Sequence, residues 1–84
     1  MTLLDIPLHQ LAYVETVEAF HGNDAIARRL CELGFVAGEP VRVIACGPIG
    51  KEPLLVQIGH SRFALRRTEA ARVHVVVEAE EHVA

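Results

Sequence analysis

Apolar residues recur with two periods along this chain, and the switch between them marks its elements. From Asn23 to Leu33 the period is helical. Ile26, Leu30 and Leu33 stand at i, i+4 and i+7 on one face, Ala27 lies at its edge, and Arg28, Arg29 and Glu32 fall on the other side. Asn23 and Asp24 supply short side-chain oxygens for a helix start, and Gly34 stands where a left-handed terminating residue is needed. A helix of about ten residues is marginal alone, so it predicts a sheet to cover. Gly38-Glu39-Pro40 reads as a further turn, with Gly38 structural for the same positive-φ reason as Gly34.

Elsewhere the period is two. Strands are predicted over residues 13–20, 41–46, 54–58, 62–66 and 73–77. Leu54, Val56 and Ile58 point one way, as do Phe63 with Leu65, and Val73 with Val75 and Val77. Val41, Val43 and Ala45 are expected to share a face. Val14 and Val17 are three apart, which calls for a bulge in the first strand. Gly59-His60-Ser61 is a tight hairpin connection, and residues 47–53 form a loop with two glycines and two prolines. Thr68-Glu69-Ala70-Ala71 reads as one helical turn capped by Thr68. Leu3, Leu4, Ile6 and Leu8 mark an N-terminal segment that packs its apolar residues and turns at Pro7, with His9 and Gln10 in solvent. The fold class is therefore mainly β with one short helix. Five brief strands with a turn signal about every ten residues fit a small closed or half-closed barrel, which removes exposed edges.

Length and composition agree with one domain over residues 1–84, whose acidic end, residues 79–84, should fray. The chain is 51% apolar, enough for a core and too much for a disordered chain. No apolar run approaches a membrane span, and Met1 to Asp5 carries no signal-peptide pattern, so a cytoplasmic protein without direct membrane insertion is expected. Two cysteines, Cys31 and Cys46, make no disulfide framework and read as small core or boundary residues. The net charge of −3 argues against a general nucleic-acid binder. Charge is uneven, however: residues 1–40 hold six acids and two bases, whereas residues 41–84 hold six bases, most of them between Arg62 and Arg72.

Three stretches in order carry a resemblance. Arg29-Leu30-Cys31-Glu32-Leu33-Gly34-Phe35-Val36-Ala37-Gly38 resembles the R-L-x-E-L-G-hydrophobic-x-x-G signature of the FeoA (ferrous iron transport protein A) family, with Ala37 where proline is usual. Pro53-Leu54-Leu55-Val56 resembles that family's P-L-hydrophobic strand. The run from Phe63 to Val75 resembles its hydrophobic-A-L-R-x-x-E-A ending. The resemblance implies an SH3-like five-stranded barrel, found also as the C-terminal domain of iron-dependent repressors. It implies a cytosolic accessory to the FeoB ferrous iron permease, acting on that protein's GTPase portion. Fold alone does not license the function.

The chemistry in the residues is sparse. No serine or threonine lies in a nucleophile motif. Gly47-Pro48-Ile49-Gly50-Lys51 lacks the first glycine and the hydroxyl of a phosphate loop. The expectation is a non-enzyme with no required cofactor. His21, His60, His74 and His82 are weak candidates for adventitious zinc or nickel, since imidazole binds such metals readily, but no C-x-x-C or H-x-x-x-H pair fixes a tetrahedral site. For a partner surface the candidates are Phe35, Val36, Pro48, Ile49 and Leu55 as exposed apolar loop residues, and Arg62 and Arg66 on one strand face, with Glu69 helping to hold the last helical turn. A strand edge or shared histidines would also allow a homodimer.

Two other readings compete with the accessory. A metal-sensing regulatory domain expects tight metal binding and an attached DNA-binding region. A small-barrel nucleic-acid binder, loosely echoed in Gly38-x-x-Val41-x-Val43, needs exposed aromatics for stacking, and the chain has only Tyr13, Phe20, Phe35 and Phe63.

Overall fold

A computed structural model describes residues 1–77; His82 and the acidic end at 79–84 lie outside them. The elements are β1 (Ala12–Val17), α1 (Ala25–Leu33), β2 (Pro40–Ile49), β3 (Glu52–Ile58), β4 (Ser61–Leu65), α2 (Arg67–Ala70) and β5 (Val73–Val76). All strand pairs are antiparallel, in the order β4-β3-β2-β1-β5. Leu30 of α1 and residues from all five strands, among them Val14, Val43, Val56, Leu65 and Val75, belong to one buried cluster. One face of five successive strands meets in a single core only if the sheet curls, so this is the half-closed barrel expected.

Bulges produce the curl. Along β1 two residues advance while β5 advances one between the pairs Val14↔Val75 and Thr16↔His74, the irregularity that the Val14–Val17 spacing demanded. β2 has the same device between Val43↔Val56 and Ala45↔Leu55, and again between Cys46↔Leu54 and Ile49↔Glu52. The first shift turns Ala45 to the exposed side, correcting its assignment to the face of Val41 and Val43. β2 runs on to Ile49, through residues expected in a loop. Cys46 is exposed, as is Cys31, which lies off the Ile26–Leu30–Leu33 stripe; neither is the core or boundary residue expected.

Gly47 sits where two backbones converge: a Cβ there would overlap the Glu52 carbonyl. Gly34 has φ 117°, and its N–H donates to the Cys31 carbonyl while the Phe35 N–H donates to that of Leu30. This pair of bonds ends α1 and rolls the next side chain onto the helix's apolar face. Phe35 is therefore fully buried, its ring centroid 6.2 Å from that of Phe63. That corrects its reading as an exposed partner residue; the apolar residue that follows a terminating glycine commonly makes this contact. α2 starts at Arg67, not under a Thr68 cap. Glu69 Oε1 accepts the Arg66 N–H at 2.7 Å, so the carboxylate caps the turn.

The N-terminal segment forms no helix. It lies along the outer edge of β5: Leu3 N–H donates to Val73 O at 3.2 Å, and Val75 N–H donates to Met1 O at 2.9 Å. Leu3 and Ile6 enter the core, while Leu8 remains exposed.

Two stability outcomes follow. Phe35→Ala, which empties the space under α1, is expected to lower unfolding free energy by about 3–5 kcal/mol in denaturant titrations. Gly47→Ala forces apart the two strands that meet at the β2–β3 hairpin and should cost about 1–3 kcal/mol.

Candidate functional site: a groove beside β4 and the ion pair behind it

Helix α1 crosses the sheet beside β4 and leaves a groove of about 310 Å³ between them. Ile26, Arg29 and Leu33 line it from the helix, and Phe63, Ala64 and Leu65 line it from the strand. Ala64 belongs to the opposite strand face from Phe63 and Leu65. Consecutive residues from both faces of a strand line one groove only when the groove runs along the strand's edge. Arg62 and Arg66 are exposed on either side of Ala64. Among the described residues neither they nor Arg29 has a carboxylate within salt-bridge distance.

The wall that α1 makes is set by a buried ion pair. Asp24 and Arg72 are both buried, and Arg72 Nε donates to Asp24 Oδ2 at 2.7 Å. The same carboxylate accepts the Phe20 N–H at 2.9 Å, and its other oxygen accepts the N–H groups of Ile26 and Ala27 at 3.0 and 3.2 Å. Arg72 also donates to the Thr68 carbonyl at 2.6 Å, and its guanidinium carbon lies 4.2 Å from the Phe20 ring centroid. The Asp24 cap was readable in sequence; its pairing across 48 residues was not. The guanidinium hydrogen bond first, then the Phe20 amide, holds the Asp24 carboxyl well below the usual carboxylate range.

The remaining sequence candidates are dispersed. Ile49 is 82% exposed at the end of β2, and Val36 is 47% exposed after α1; Pro48 is exposed, Leu55 half-buried, and none of the four lines the groove. His60 is exposed in the β3–β4 turn and His21 in the β1–α1 connection. His21 Nε2 comes within 3.9 Å of Asp24 Oδ1, an oxygen already committed to two amides. His74 Nε2 lies 2.7 Å from Glu18 Oε1. Zinc takes four tetrahedral ligands, and no group of three or more metal-ligating side chains exists among the described residues. The groove had no sequence signal of its own, because its two walls are thirty or more residues apart in the chain.

A depressed folded-state pKa stabilises the fold above the unfolded-state value of about 3.9 and loses that contribution as pH falls below it. Thermal melts should therefore show an Asp24 contribution that is complete above about pH 5 and declines below about pH 4; Asp24→Asn removes that acid slope. Arg72→Met, which leaves a buried carboxylate unpaired, should lower Tm by roughly 10 °C or more. Pairing it with Asp24→Asn should recover part of the loss.

The FeoA domain family matches residues 1–77. A Fe(2+) transport protein A/Fe(2+) transporter FeoB fusion protein of Porphyromonas gingivalis is 31% identical over 75 residues, and the match spans 89% of this chain but only 8% of that protein's length. FeoA of Stenotrophomonas maltophilia, solved in complex with zinc and described as a prokaryotic SH3 domain protein, is 65% identical with a TM-score of 0.83, over 89% of this chain and 88% of that one. FeoA of Chlorobium tepidum is 30% identical with a TM-score of 0.80, over 98% of this chain and 76% of the other. The expected SH3-like fold and family are both met: this chain belongs to the FeoA domain family, whose members take part in ferrous iron transport.

Proposed function

We propose that this protein is a non-enzymatic cytoplasmic accessory that docks on the soluble portion of a FeoB-type permease and modulates ferrous iron uptake. The observation that carries this reading is the Porphyromonas gingivalis relative, in which an A-type domain and the FeoB transporter are parts of one polypeptide. Fusion holds two modules at high effective concentration, which favours partners that act on each other. The site chemistry supports it: exposed arginines and an apolar groove are recognition features, and the described histidines stand singly or in pairs with one carboxylate. Ferrous iron is the permease's cargo here, and this chain needs no resident metal for the role.

The test has two arms. The tagged chain should retain the purified soluble portion of its own organism's FeoB-type permease. Deleting its gene should change the initial rate of radiolabelled Fe²⁺ uptake, with restoration by the unaltered gene. No retention together with an unchanged uptake rate would overturn the reading.

A further inference from the structure

The two edges of the sheet are treated differently. The outer edge of β5 is covered by Met1 to Leu3 through backbone hydrogen bonds. β4, the other end of the strand order, has no strand on its outer side among the described residues. The two-residue turn Gly59-His60 makes Ile58↔Ser61 a hydrogen-bonded pair, and pairs then alternate: Val56↔Phe63 and Leu54↔Leu65 are bonded, while Gln57↔Arg62 and Leu55↔Ala64 are not. The N–H and C=O groups of Arg62 and Ala64 therefore point away from β3. No turn, cap or side-chain bond among the described residues takes them. The next outward donor, the Arg66 N–H, is the one that Glu69 accepts. Four backbone groups are thus left open along the outer edge of β4, those of Ala64 within the α1–β4 groove and those of Arg62 beside it.

We infer that the free edge of β4 receives an extended segment of the permease's soluble portion as an added strand, alternating acidic with apolar residues. Strand addition draws affinity from main-chain bonds and specificity from alternate side chains. One face of the incoming strand would lie beside Arg62, Ala64 and Arg66, where two guanidinium groups with no carboxylate partner among the described residues flank a small residue and favour carboxylates. Its other face would meet Phe63, Leu65 and the apolar stripe of α1, which favour aliphatic side chains. A second copy of this chain fits worse. Antiparallel β4–β4 pairing centred on Ala64 sets Arg62 opposite Arg66 twice, and like charges directly opposite are destabilising.

This rests on the docking reading above, and amide hydrogen exchange separates the two. With the permease's purified soluble portion bound to the full chain, the amides of Arg62 and Ala64 should gain protection at least tenfold. Ala64→Pro deletes an outward N–H and spares the β3 ladder, so it should weaken binding at least tenfold with the melt retained; Arg62→Glu with Arg66→Glu should do the same. Binding by the unaltered chain with no protection at these two amides overturns the strand addition and leaves docking standing. Full affinity of Ala64→Pro does likewise. Protection already present in the free chain overturns it too, in favour of a second copy if it rises with concentration and of the chain's own residues if it does not. No binding by the unaltered chain removes both.

Discussion

A single carboxylate gathers the chain. Asp24 receives an amide from within the β1–α1 connection, two from the first turn of α1, and the guanidinium of Arg72 from the turn before β5. A buried charge is costly unless it is paired and hydrogen-bonded, and here all four bonds are made, with no buried side-chain polar atom unpartnered among the described residues. The arrangement matters because α1 has nine residues and could not persist alone. Asp24 caps it, orients it, and ties it to the far end of the sheet. Arg72 adds a bond to the Thr68 carbonyl, so the short helix α2 is held by the same contact.

Helix position and sheet curvature together make a concave apolar surface beside β4. Bulges in β1 and β2 bend the sheet until all five strands share a core. The close approach at Gly47 lets the long β2–β3 hairpin fold tightly. α1 then lies alongside β4 without hydrogen-bonding to it, because a helix has no free backbone groups along its length to offer an edge. Exposed edges are normally blunted by charge or cover. This fold uses cover at β5 and charge at β4, where Arg62 and Arg66 flank Ala64 and Glu69 lies at the end of the groove.

The same geometry underlies the docking role proposed above. Side chains able to do acid–base or metal chemistry are spread over separate turns: His60 between β3 and β4, His21 before α1, His74 on β5. A reacting centre needs several such groups converging on one point. Among the described residues, the groove beside β4 brings together an apolar wall, exposed arginines and open backbone.

Local chemistry determined much of this in advance. Asp24 and Gly34 set the limits of α1 because a cap and a left-handed stop act on neighbouring residues, and Leu54, Val56 and Ile58 declared their inner face because a strand's period is two wherever the ladder is regular. The family motifs sit on those same local features. Only the tertiary structure decided the rest. Ala45 turned outward because a register shift flips every later side chain; Phe35 turned inward because the bond from its amide to Leu30 rolled it under the helix. The Asp24–Arg72 pair and the α1–β4 groove each join residues distant in the chain, and no period or propensity encodes a contact that exists only once the sheet has curled.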